Sequence, residues 1–231
     1  MMTRMRPPEG GSERCKDTMS VKLNPEKALI FRIVHVDNVP WILEHGIHCR
    51  NSPDQDPNYV NIGNPDLINR RATRQVEVGP GGTLSDYVPF YFTPYSIMML
   101  NIKTGYSGIK QRSNGEIVIF VSSIPRLVDL GIPFVFTDRH AYPELAKYFT
   151  DPSDLSEIDW RILQERDFKH DPEDPGKKER YQAEALVHSH VPLEALMGIC
   201  CYNEGVKAKL DRQIEAAGIK LRTEVTKSWY F

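Results

Sequence analysis

The run Glu116-Ile-Val-Ile-Phe-Val-Ser122 constrains this chain more than any other stretch. It is short, apolar without interruption and rich in β-branched residues, the signature of a buried strand. A strand of that kind needs neighbours, and the sequence supplies them. Ala28 to Val36 is a second apolar run in which Arg32 and His35 are the polar members. Tyr87 to Pro94 is unusually aromatic, with Pro89 pointing to an edge or a bulge. Pro133 to Thr137, the stretch from Ala185 to Val187, Leu196 to Tyr202 and the alternating tail Lys220 to Phe231 complete six or seven strands.

Short helices are expected between them. Asp37-Asn38-Val39-Pro40 combines a cap residue with a first-turn proline, and Gly46 stops the helix that follows. Further helices are predicted at 66–74, 96–101, 123–130, 141–149 and 155–166. Another begins at Asn203, with Val206, Leu210 and Ile214 at helical spacing, and closes at Gly218. With neither repeat nor domain-scale linker, the pattern gives one α+β domain over residues 23–231. Residues 1–22 carry charge but little to pack and are expected to be disordered.

Composition narrows the function. A formal net charge of −2 argues against broad electrostatic coating of nucleic acid, so any such contact must come from a local basic rim. No apolar run approaches the roughly 20 residues of a membrane helix. The four cysteines, Cys15, Cys49, Cys200 and Cys201, lack zinc-ligand spacing and suit a reduced, cytoplasmic protein. His188 and His190 share a strand face without a third ligand at a telling spacing, so no metal is expected. Glycine-rich dinucleotide and P-loop motifs are missing.

What remains is a dispersed set of polar residues. Gln182-Ala183-Glu184 lies where a charged loop meets an apolar strand, and an extended backbone would point Gln182 and Glu184 the same way. Arg70, Arg71 and Arg74 crowd an irregular segment, His35 sits on a strand, Tyr91 lies in the aromatic run, and His140 follows a strand. Taken singly, each is better explained as a solvated basic helix face, a strand-entry glutamate, a satisfied core histidine or plain core packing.

Together the segments resemble the DarT-type DNA ADP-ribosyltransferases, toxins of the DarTG toxin–antitoxin systems. The resemblance rests on Phe31-Arg-Ile-Val-His-Val-Asp-Asn38, on Arg70-Arg71, and on Gly81-Gly-Thr-Leu-Ser-Asp-Tyr-Val-Pro-Phe-Tyr-Phe-Thr-Pro94. It continues through Pro133-Phe-Val-Phe-Thr-Asp-Arg-His140, Gln182-Ala-Glu184 and Ser228-Trp-Tyr230, and covers about residues 24–231. It implies an ADP-ribosyltransferase-like split β-sheet core with surrounding short helices. It also implies transfer of ADP-ribose from NAD to a base of single-stranded DNA, thymidine in the most similar branch, with a block to replication. Arg71, Glu184 and His140 match catalytic positions. Arg32, Ile33, Val34, His35, Trp41, Arg71 and Tyr91 are implied to meet NAD. Arg139, His140, Lys178 and Gln182 are implied to meet DNA, with Lys177 and Arg180 as further phosphate contacts. A DarG-type macrodomain antitoxin is the implied partner. The Gln-x-Glu pattern alone also admits transfer to protein or RNA, or a silent module that binds NAD or DNA.

Overall fold

The computed structural model describes residues 22–231; the expected disordered extension and Cys15 lie almost wholly outside the described residues. The first strand, β1 (Leu29–His35), leads through a short 3-10 turn into α1 (Val39–His45). Gly46 ends α1 at φ 75°, and a β-carbon there would run into the Val191 carbonyl and the His190 ring. β2 (Ile47–His48) opens a long irregular segment that ends in α2 (Pro65–Arg71). The aromatic run forms β3 (Tyr87–Tyr91), and Ser96 caps α3 (Ile97–Thr104). β4 (Ile117–Ser123) is the long apolar strand, and Ser123 caps α4 (Ile124–Asp129) through the Arg126 N–H. Then come β5 (Phe134–Thr137), β6 (Tyr148–Phe149), α5 (Trp160–Glu165) and α6 (Lys177–Arg180). The chain finishes with β7 (Glu184–His188), β8 (His190–Val191), β9 (Gly198–Cys201), α7 (Glu204–Ala216) and β10 (Arg222–Val225).

Eight strands form one sheet in the order β10-β9-β4-β1-β3-β7-β5-β6, and β2 pairs with β8 as a separate ribbon. Only the β9–β10 pairing is parallel among the described residues. These two strands are joined by α7, the crossover that a parallel pair requires.

The sheet has a seam. β1 pairs with β4 over seven residues and β3 with β7 over five, but β1 and β3 share one register pair, Phe31 with Tyr91. Pro89 explains part of this. It has no N–H to offer, and its carbonyl accepts from the Arg32 side chain, Nη1 to O 2.8 Å, in place of a strand partner. Pro89 thus marks an inner seam rather than an outer edge. The split sheet takes the form of two four-stranded halves touching at one point.

The core spans both halves. Ile30, Phe31, Val34, Phe90, Phe92, Phe120, Phe136 and Val187 are all fully buried. Each large apolar side chain so buried contributes roughly 1.5–3 kcal/mol relative to exposure. Trp229 closes this core edge-on against Phe31, ring centroids 5.3 Å apart.

Three local expectations fail for stated reasons. Residues 141–145 form bends and a turn rather than a helix: Pro143 disfavours a helical backbone at Tyr142, and its carbonyl closes a turn to Ala146 before β6 begins. The predicted helix at 155–166 is a 3-10 turn, Pro152–Glu157, followed by α5, whose start Asp159 caps. The tail gives a four-residue strand and then a 3-10 turn, Lys227–Trp229, so Trp229 is buried while Phe231 stays half-buried.

Candidate active site

A cavity of about 410 Å³ opens at the seam. Arg32, Ile33 and Trp41 line it from one half, Tyr91 and Glu184 from the other, Arg71 from the end of α2 and His140 from the loop after β5. Tyr91 is the hinge residue: it registers with Phe31 on one side and with Glu184 on the other.

Glu184 begins β7 and is only 2% exposed. Its carboxylate receives the Arg71 guanidinium, Nη1 to Oε2 3.0 Å and to Oε1 3.3 Å. Oε1 also accepts the Ala141 backbone N–H at 2.9 Å, and His140 Nε2 stands 3.8 Å from it. Burial alone would push this carboxyl up; Arg71, His140 and the Ala141 N–H outweigh it and hold the group below the ordinary carboxylate value. The glutamate is therefore a fixed negative charge on the cleft floor. A buried pair of this kind needs such extra hydrogen bonds to persist.

His140 is shifted the other way. Burial lowers its pKa, Glu184 opposes this, and Arg71 adds to it, with the net result below the ordinary imidazole value. The ring is consequently neutral at neutral pH and able to accept a proton. Its backbone is pinned by the Glu179 carbonyl at 2.9 Å. Thr137 ties the same loop to β7: its Oγ1 donates to the Arg139 carbonyl at 2.6 Å and accepts the Glu184 N–H at 3.2 Å. The Tyr148 hydroxyl donates to the Ala141 carbonyl at 2.5 Å. Thr137, Tyr148 and the Ala141 N–H position this loop, and nothing in their residue types or spacing announced it.

Other expected site residues stand elsewhere. Val34 is fully buried in the core, and His35 does not line the cavity. The His35 ring instead accepts the Asp37 N–H through Nδ1 at 3.2 Å and faces Arg112 through Nε2 at 3.2 Å. Gln182 does not share a face with Glu184. Its N–H bonds the Glu179 carbonyl and its side chain donates to the Lys178 carbonyl at 3.0 Å, so it finishes the α6 turn. Arg139 is held by its neighbour Asp138, Nη2 to Oδ2 3.0 Å. Lys177 is buried against Asp167 and Asp171, and Arg180 pairs with Asp174 and Asp159. Of Arg139, Lys177, Lys178 and Arg180, Lys178 is the one left without an ion pair among the described residues.

Three buried side-chain polar atoms of residues that line the cavity lack protein partners: Arg32 Nε, Arg71 Nη2 and Ser85 Oγ. Cys49, Cys200 and Cys201 are buried, and burial pushes the Cys200 thiol up to about 12, so it is inert at neutral pH. Among the described residues no cluster of three or more His, Cys, Asp or Glu side chains is placed to hold a metal. No described helix is long and apolar enough to cross a membrane.

Comparison with known proteins gives this geometry its context. A DNA ADP-ribosyl transferase of Escherichia coli O127:H6 is 53% identical over 212 residues, covering 92% of this chain and 97% of that protein. Thermus sp. 2.9 DarT in complex with ADP-ribosylated ssDNA superposes with a TM-score of 0.83 at 32% identity, covering 90% of this chain and 98% of that one. The same Thermus protein in complex with NAD+ gives 0.78 at 31% identity, covering 90% of this chain and 99% of that one. The model of the family described as "ssDNA thymidine ADP-ribosyltransferase, DarT" matches residues 31–231, and the chain belongs to that family.

Proposed function

We propose that Glu184, His140 and Arg71 carry the NAD-dependent ADP-ribosylation of single-stranded DNA that family membership assigns to this chain. The observation that carries the assignment is the buried Glu184 carboxylate, tied to Arg71 and the Ala141 N–H with His140 3.8 Å away, at the seam of the sheet. Bound NAD supplies an ADP-ribosyl group whose bond to nicotinamide breaks with positive charge developing on the ribose. Glu184 has an oxygen, Oε2, that accepts only from Arg71 in the structure and can take a ribose hydroxyl as well. Its charge then stabilises the ribose with little reorganisation, because β7 and Ala141 already hold it in place.

His140 is the proton acceptor for the base. Thymine N3 bears a proton at neutral pH that must leave as the new bond to ribose forms, and a neutral imidazole on the cleft wall takes it. Arg71 stays protonated throughout and serves as the fixed cation that orients Glu184. Arg32, Ile33, Trp41 and Tyr91 form the remaining walls for NAD. Among the candidate phosphate contacts Arg139, Lys177, Lys178 and Arg180, Lys178 is the one that the ion pairs leave available, which fits a protein of net charge −2 that grips a short single strand locally.

The proposal includes one catalytic domain over residues 23–231, a DarG-type macrodomain antitoxin as partner, and a cytoplasmic site of action. Incubation with NAD and single-stranded oligonucleotides, each lacking one base, tests the acceptor. A mass gain is expected on every oligonucleotide that contains thymine; labelling that ignores thymine content contradicts it. Co-expression with the macrodomain antitoxin is expected to relieve growth arrest, and unrelieved arrest contradicts the pairing.

A further inference from the structure

Asn38 stands at the N-cap position of α1, where an asparagine side chain ordinarily accepts from the first helical N–H groups. It makes no such bond here. Its side chain reaches 22 residues along the chain instead, to Val60. The amide Nδ2 donates to the Val60 carbonyl at 3.0 Å, and Oδ1 accepts the Val60 N–H at 2.8 Å. Asn38 is 1% exposed, so both bonds are shielded from competing water. The helix start is left to Pro40, whose missing N–H reduces the need for a cap.

Val60 lies in the irregular wall of the cleft. Gln55, Asp56, Tyr59, Asn61 and Ile62 on either side of it line the cavity, and none belongs to a helix or strand. The segment's polar ties to the rest of the molecule are few: Gln55 to the Cys49 carbonyl at 2.7 Å, and the two bonds to Asn38. The wall is otherwise turns and bends closed on themselves, as in Tyr59 N–H to the Asp56 carbonyl. A wall without ladder bonds of its own takes its position from the side chain that pairs with it.

We propose that Asn38 is a positioning residue for NAD: its paired amide sets the place of the 55–62 wall and thereby the affinity for the co-substrate. The inference rests on the reading of the cleft as the NAD site. Asn38 touches neither Glu184 nor His140 in the structure, so its loss bears on binding more than on the chemical step.

The test is a steady-state split between the two substrates for Asn38→Ala and the near-isosteric Asn38→Asp. The latter keeps the acceptor for the Val60 N–H but sets oxygen against the Val60 carbonyl. The expected result is a KM for NAD raised by on the order of tenfold, with the KM for the oligonucleotide unchanged and kcat within a few-fold. A variant that is merely less folded lowers the apparent kcat and leaves both KM values alone. That result, or equal rises in both KM values, overturns the proposal. Limited proteolysis of the 50–64 segment separates the two levels of the argument. If NAD does not protect this segment in the unaltered protein, the reading of the cleft fails. If NAD protects it and both variants keep the original KM for NAD, the role of Asn38 alone fails.

Discussion

The two walls of the cleft are built on opposite principles. Glu184 stands at the start of a strand with register partners on both sides and a carboxylate tied to Arg71 and Ala141. The wall from residue 49 to α2 has almost no ladder, and α2 buries none of its residues fully. One wall is made to keep a charge in place, the other to be placed by contacts. The lesson is a division of labour: charge that must meet a transition state is held by the sheet, and the surface that receives the co-substrate is held by a few side-chain bonds. Arg71 ends α2 and reaches Glu184, so it joins the two walls.

That contrast can be broken most severely at the rigid wall. Glu184→Gln keeps the shape but removes the charge and sets an amide donor in place of one acceptor oxygen, and single-turnover transfer is expected to fall by at least about 10²–10³-fold in a folded protein. A fold-matched variant at the original rate would remove the charge from the account. His140→Ala is expected to cost on the order of 10²-fold. It should also erase the acid limb of the pH profile. Because His140 is shifted below its usual value, the original rate should fall as pH drops through a point under 6.5 and stay level above it. Glu184 remains ionised across that range, so an acid limb that survives in His140→Ala would assign the limb to another group.

Arg71→Lys tests the joint between the walls. A lysine supplies the charge but not the planar fork, and a loss of about tenfold in kcat/KM is expected. Full retention would mean that Glu184 needs only a nearby cation. The smallest effect belongs to Lys178→Ala, which should leave kcat alone and flatten the salt dependence of oligonucleotide binding by roughly 0.7 in log–log slope. An unchanged slope would show that Lys178 does not meet the strand.

The rigid wall was also the more legible one. Runs of β-branched and aromatic residues marked β1, β3, β4 and β5 within a few residues, because burial on a pleated sheet selects those side chains directly. Gly46 and Ser123 were readable for the same local reason. The other features depended on partners distant in sequence. Lys177 and Arg180 looked like free cations, but acids 6 to 21 residues away claim them. Gln182 looked extended, but the α6 turn carries past it to Ala183. Asn38 looked like a cap, and its bond goes to Val60. His35 stands out as a polar residue in an apolar strand and the resemblance implies contact with NAD, yet its ring turns to Arg112. Family resemblance brings Arg71, His140 and Glu184 together before any geometry can; the structure adds that Arg71 hydrogen-bonds Glu184 and that His140 stands 3.8 Å from it in one cleft.

The most direct measurement is single-turnover transfer of ADP-ribose from NAD to a thymine-containing single-stranded oligonucleotide, followed by mass, for the unaltered chain and for Glu184→Gln shown by circular dichroism to be folded. The account predicts one added ADP-ribosyl group with the unaltered chain and a rate lower by 10²-fold or more, on the order expected for a lost transition-state charge, with the variant. Equal rates from the two proteins would contradict it.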